Sequence, residues 1–506
     1  MGHAAGRFVL GLDVGSSSAK VCALDTSGHV LGSEAEAYET FFPHPGWAEQ
    51  DPTVWLGALG TASKRLLARL GLDGGDALGL SITCAAHIGV LLDAERKVLR
   101  NAILWSDQRS THEAQAIAAS MGPEVLRISN NWPTPTWTLP HFAWLQKHEP
   151  HILSRARHIL LSKDYIAFLL TGRLATDPSA AVSAMLMDVR TGAWSRQLCD
   201  LVGIDASVLP EILPTAAEIG TITRSAAEAL GISEGAKVFN GSMDSTAETF
   251  AAGVRDSRQF VIRLASAGGL HVIANPALAR RNLISYPYCG GPFWLSQAAT
   301  NTCATAVAWS REVLSSADAV ADFSDWSRLA SQSPTGANGV MFHPYLSGER
   351  CPYWDADLRA SFTGLSLHSK KSDLARAVYE GTAYALRDAA RVIEAEGIRV
   401  DEVKVVGGGA NSEVWLQIIA NVFDCPVRPM THADSSAGGG LYTLVGLGEF
   451  SDFREVAQNV LDAEVAREVL PQANLRAFVK EQMERYRFVQ EHISEISHFG
   501  TALDDR

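Results

Sequence analysis

Apolar runs interrupted by short clusters of Gly and Ser set the pattern at the start of the chain. FVLGLDV (residues 8 to 14) and AKVCAL (19 to 24) flank Gly15 and three serines, and a turn at Asp25-Thr26-Ser27-Gly28 leads into a further apolar run. Aliphatic runs bounded in this way predict strands joined by tight turns. Residues 259 to 274, QFVIRLASAGGLHVIA, repeat the plan: apolar run, small-residue cluster, apolar run. A second domain opening near here would echo the first.

Between the two hairpins the period changes. PTVWLGALGTASKRLLARLG (52 to 71) carries apolar residues at helical spacing, and LGLSITC (78 to 84) reads as a strand leading to Ala86 and His87. Residues 372 to 397 predict a long amphipathic helix in which Leu374, Val378, Ala385 and Val392 recur at near-helical intervals, with Ser372 as its expected N-cap. VKVVGGGANSEVWLQIIANVF follows as strand, glycine loop and capped helix. Residues 471 to 498 read as a polar surface helix. Alternating strands and helices predict an α/β protein.

With 506 residues the chain exceeds what one core holds, roughly 250 to 300 residues, so two large domains are expected. A content of 47% hydrophobic and 20% charged residues is that of a globular protein. The formal charge of −13 opposes binding to a phosphate backbone, which argues against a nucleic-acid partner. No signal-peptide pattern and no stretch of ~20 apolar residues is seen, so a cytoplasmic protein without a membrane partner is expected. The seven cysteines are scattered, with no C-x-x-C, and read as reduced thiols.

Three segments offer chemistry. In GLDVGSSSAK, Asp13 ends a strand before a turn of small residues and Lys20, a place for a metal beside a phosphate cradle; a plain Ser-rich turn is the alternative. Neither a P-loop nor a dinucleotide fingerprint occurs. In FNGSMDSTA, Asp244 stands where a strand gives way to a helix and could project into a cleft as a base for phosphoryl transfer; an N-cap or Asx turn competes with that reading. In Gly407-Gly408-Gly409-Ala410-Asn411-Ser412, bare backbone would let a nucleotide approach closely, against a simple glycine turn. Together they describe one cleft between two domains.

These segments resemble the FGGY carbohydrate kinases, within the actin, hexokinase and Hsp70 superfamily. The resemblance also rests on PGWAEQDPTVW, ILWSDQR, KDYIAFLLTG, GSMDSTAETFAAG, YLSGERCPYWD, FTGLSL and VVGGGANSEVWLQIIANV, and covers nearly the whole chain. It implies two ribonuclease H-like domains of mixed sheet with flanking helices around a central cleft. Residues 1–256 would bind the sugar and carry the first phosphate turn, and 257–506 would bind the nucleotide.

The resemblance further implies ATP and Mg²⁺ as cofactors, a small sugar as substrate, and Asp244 as catalytic base. Asp13 matches a metal-holding residue; Gly15, Ser16, Ser17 and Lys20 match the first phosphate turn, and Ser266 with Gly268 the second. Gly408, Gly409, Asn411 and Ser412 match the adenosine loop, while His87, Asp107, Asp244 and Ser245 fall on the sugar side. A ketopentose such as D-xylulose is the expected substrate; D-ribulose, a polyol, another ketose or a sugar acid are alternatives, and a non-catalytic ATP-binding regulator is the rival class. Homodimers are common among such relatives. Ala86-His87 replaces the usual Met-His, Ser245 replaces Asn, and LASAG replaces LGTSG, so that Ala265 is expected to narrow backbone freedom in the second turn. Trp47 and Trp105 are expected to be packing residues, and Arg350 an internal ion-pair partner.

Overall fold

The computed structural model describes residues 6–289, 291–315, 322–430, 432–461 and 467–504. The first apolar runs form β1 (Phe8–Val14), β2 (Ser18–Asp25) and β3 (Val30–Ala37), an antiparallel meander. Helix α1 (Trp55–Leu70) buries Trp55, Leu59, Leu66 and Leu67, and ends at Gly71 in the left-handed conformation. The strand expected before His87 is β4 (Ala77–Cys84), parallel to β1. Strands β5 (Glu218–Thr221) and β6 (Lys237–Met243) complete a six-stranded sheet of order β5-β6-β4-β1-β2-β3. Helix α2 (Asp244–Ala251) follows β6 directly.

The second half repeats this plan. Strands β7 (Gln259–Leu264), β8 (Gly268–Ala274), β9 (Ile284–Pro287) and β10 (Trp294–Thr300) are antiparallel neighbours. After α3 (Lys371–Glu394) come β11 (Glu402–Val406), α4 (Glu413–Phe423) and β12 (Val427–Pro429). The sheet order is β9-β10-β8-β7-β11-β12. Stripped of edge additions, the sheets read β3-β2-β1-β4-β6 and β10-β8-β7-β11-β12, with the same antiparallel and parallel pairings. The echo between the two hairpins is therefore an echo between two whole units.

Helix α3 begins two residues earlier than a Ser372 cap would set, and Ser372 lies inside its first turn. Its N-terminal amides are served instead by Asp373, whose carboxylate accepts from the Lys370 N–H. The C-terminal helix is not polar throughout: Val479, Met483 and Tyr486 are buried, and Tyr486 stacks on His343. Each such fully buried apolar side chain contributes roughly 1.5–3 kcal/mol.

Helix α5 (Ser435–Leu447), late in the chain, returns to pack on β1, β4 and α2 of the first half. Such an approach needs bare backbone. A Cβ at Gly11 would lie 1.7 Å from the Ser436 carbonyl oxygen, and one at Gly438 would lie 2.3 Å from that of Ala247. One core cluster accordingly joins Leu441, Tyr442, Val456 and Val460 to Val9 of β1 and to Cys22 and Leu24 of β2. Residues 434–461 thus belong in sequence to the second half and in packing to the first, which carries Asp434 and Ser435 to the junction.

Candidate active site

The first hairpin turn is built to present amide hydrogens. The Gly15 and Ser18 carbonyls accept from the Tyr38 hydroxyl, that of Ser16 from Gln50 Nε2 at 2.7 Å, and that of Ser17 from the Tyr38 N–H at 3.2 Å. With the carbonyls turned into the protein, the opposite face of Gly15, Ser16 and Ser17 lines a cleft of about 490 Å³. The Gly15 N–H closes the turn on the Ser18 carbonyl at 3.0 Å, which leaves the Ser16 and Ser17 N–H groups to form an anion-binding concavity. Trp105 completes it, donating its indole N–H to Ser16 Oγ at 2.8 Å and lining the same cleft. Trp105 is thus part of the site wall and not only packing, whereas Trp47 does pack, lying 3.7 Å from the Arg109 guanidinium.

Lys20 is paired with Asp13 across β1 and β2, and its Nζ meets Asp434 Oδ2 at 2.6 Å. Its charge is therefore shared with a carboxylate delivered by α5. Asp13 accepts from the Thr83 hydroxyl at 2.7 Å, and burial and the neighbouring Asp244 push its carboxyl up to about 7. A carboxylate so crowded by negative charge is relieved by a bound cation. Its hard oxygen donor beside a phosphate cradle fits Mg²⁺, which takes one or two carboxylates and completes its shell with water and phosphate oxygens.

Asp244 is the first residue of α2, half buried and open to the cleft. Gly241, at φ +76°, forms the irregularity in β6 pairing just before it; a Cβ there would fall 1.8 Å from the Ile82 carbonyl oxygen. Asp244 does not cap the helix. Its Oδ1 accepts the N–H of the adjacent Ser245 at 2.7 Å, and Ser245 also lines the cleft. Burial raises the Asp244 carboxyl above the usual range, opposed by the charge of Arg263. One turn along α2, Glu248 lies 3.5 Å from Arg263 Nε and is pushed up to about 7 by burial. Neither Glu248 nor Arg263 emerges from the sequence reading, although the i, i+4 spacing of Asp244 and Glu248 places both on one helical face.

The second hairpin turn has the same construction. The Ala265 carbonyl accepts from the Ala304 N–H at 2.9 Å and that of Ser266 from the Cys303 N–H at 3.0 Å, so the carbonyls point to the start of a helix. Neither Ala265 nor Ala267 takes a positive φ, so alanine is accommodated where narrowed freedom was expected. Ala265 and Ser266 line both the cleft and a neighbouring cavity of about 870 Å³, and Gly268 lines the cleft. The larger cavity is walled by Gly408, Gly409, Asn411 and Ser412 with Val307, Phe323 and Tyr379. Ser412 caps α4 and shares a 2.7 Å hydrogen bond with Ser327. The cavity is walled by apolar and small polar side chains and meets the cleft at the second turn, through Ala265 and Ser266.

On the far side His87 lines the cleft at φ +65°, a conformation uncommon for a residue with a Cβ. Asp107 is not on the cleft wall. It is fully buried, bound through both oxygens by the Arg109 guanidinium and by the Ala48 N–H at 2.6 Å, so its expected contact with the sugar is corrected to a structural one. Arg350 does line the cleft, donating to the Thr300 carbonyl at 2.8 Å and leaving Nε buried without a partner among the described residues. It is therefore not simply an internal ion-pair residue.

Residues 8–251 match the N-terminal domain and 268–445 the C-terminal domain of the FGGY family of carbohydrate kinases. The xylulose kinase of Escherichia coli is 32% identical over 82% of this chain and 84% of its own. The ligand-bound xylulose kinase of Lactobacillus acidophilus superposes with a TM-score of 0.89 at 25% identity, covering 96% of this chain and 98% of that one. The gluconate kinase of the same organism superposes with a TM-score of 0.88 at 25% identity and the same coverage. The chain belongs to the FGGY family of carbohydrate kinases.

Proposed function

We infer that the protein transfers the γ-phosphoryl group of ATP to a terminal hydroxyl of a ketopentose, D-xylulose, giving D-xylulose 5-phosphate and ADP. The observation that carries the reaction is the position of Asp244: its carboxylate opens into the cleft that both amide-lined turns also face. The choice of sugar rests on the relatives named xylulose kinase. The setting of the reaction is the cytoplasm, in keeping with the absence, among the described residues, of a helix able to cross a membrane.

The acceptor hydroxyl lies against Asp244, which takes its proton. Phosphoryl transfer has a loose transition state, so positioning and charge neutralisation supply most of the rate and the proton moves late. Ser16, Ser17 and Ser266 hold phosphate oxygens through backbone N–H groups, while Gly408, Gly409, Asn411 and Ser412 hold the adenosine. Asp13 would hold Mg²⁺, which when bound neutralises phosphate charge. Approach of the two halves excludes water that would otherwise accept the phosphoryl group.

One observation favours a second acceptor class. Arg350 lines the cleft, and a sugar acid would supply a carboxylate for its guanidinium. The test is ADP release by the purified protein with Mg·ATP and D-xylulose, D-ribulose, hexuloses, glycerol or D-gluconate. D-Xylulose is expected to give the highest kcat/KM. A higher value for D-gluconate moves the assignment to a sugar acid, and no turnover with any acceptor overturns it.

A further inference from the structure

The antiparallel half of the second sheet turns one face to the cleft. His271 of β8, Gln297 of β10 and Ile284 of β9 are register partners in a row, and all three line the cleft together with Tyr286, two residues beyond Ile284. This face is clamped to the first half of the chain. The Tyr286 hydroxyl donates to His87 Nε2 at 2.7 Å, and His87 Nδ1 in turn donates to the Ser183 carbonyl at 3.0 Å. Beside them Asn131 and Ser285 exchange two hydrogen bonds of 2.8 Å.

The clamp decides which groups remain for a ligand. Both His87 nitrogens are engaged within the protein, and burial holds the ring neutral by lowering it to about 3. His87 therefore shapes the cleft and orients Tyr286. The Tyr286 hydroxyl, having donated its proton, keeps its lone pairs. Gln297 is different: its half-buried side chain lines the cleft, its Nε2 has no hydrogen-bond partner among the described residues, and a turn of the carboxamide presents that donor to the cleft. A buried donor left unpaired is costly, and such groups are normally matched once the site is filled.

We propose that Gln297 recognises the acceptor, donating from its carboxamide to an oxygen of the bound sugar, and that the Tyr286 to His87 bridge is the positioning device that holds this wall against the first half. This deepens the sugar-kinase reading and rests on it. Acceptor recognition is then shared between both halves of the chain, so the site is complete only when β9 is docked.

The test compares the wild type with Gln297→Leu, using the best acceptor and its single-deoxy analogues. A lost hydrogen bond of this type is worth about 10-fold. In the wild type one deoxy analogue should show an acceptor KM raised by about that factor. In Gln297→Leu the parent sugar should show the same rise while the deoxy penalty disappears and the KM for ATP stays put. Analogue-to-parent KM ratios that are identical in both proteins overturn the proposal and leave the kinase reading intact. A wild type that phosphorylates no acceptor overturns the reading itself. If the leucine variant does not fold, Gln297→Glu, which keeps the shape and removes the donor, is judged by the same ratios. Tyr286→Phe should raise the acceptor KM more than it lowers kcat; a fall in kcat alone would remove the positioning role.

Discussion

Asp13 and Arg263 occupy the same place in successive hairpins, one residue before the last paired position, and present opposite charges to one cleft. The duplicated unit thus carries an anionic side chain in its first copy and a cationic one in its second. Asp244 lies under the influence of this arrangement: Arg263 favours its ionised form, against the burial that disfavours it.

The balance has a kinetic consequence. A base must be ionised, so kcat/KM should fall as pH drops through the raised Asp244 pKa. Removing Arg263 takes away the charge that holds this pKa down. Arg263→Gln should therefore move the acid limb of the pH profile to higher pH, and an unmoved limb would detach Arg263 from the base.

Stability should carry the opposite signature. The Asp13 carboxyl is raised to about 7 in the folded protein, against about 3.9 for an unperturbed aspartate. Between those values the native state binds more protons than the unfolded chain, so Asp13 lowers stability as pH rises through that window. In melts without divalent cation, Asp13→Asn should raise Tm at pH 8, flatten its pH dependence and lower kinase activity. A Tm lower than wild type at pH 8 would contradict the charge crowding described for the cleft.

Gly408 offers a steric probe of the nucleotide cavity. No atom of the described residues lies within 4 Å of a Cβ placed there, its φ is not positive, and it lines the larger cavity. Gly408→Leu should leave Tm unchanged and raise the KM for ATP about 10-fold or more by filling space a ligand needs, with the acceptor KM little affected. An unchanged KM for ATP would place the nucleotide elsewhere.

Much of this site is legible in local sequence because its turns are local. Runs such as FVLGLDV and QFVIRL end in small residues whose backbone forms the cradle, and Asp244 follows its strand directly. What local sequence hides is what distant chain supplies. Asp434 reaches Lys20 only because the glycines of α5 let that helix lie on β1, and Tyr286 meets His87 across 199 residues. Asp107 misleads for the converse reason: its partner, Arg109, is two residues away, and the pair closes on itself in the interior. Trp105 looks like any packing tryptophan until its N–H is seen to support the first turn.

The most direct measurement is Asp244→Asn, which preserves size and the hydrogen bond to Ser245 while removing the base. Turnover of D-xylulose should fall by about 10² to 10⁴-fold, with ATP still bound at near wild-type affinity by calorimetry. A folded variant with near-normal turnover would contradict the account.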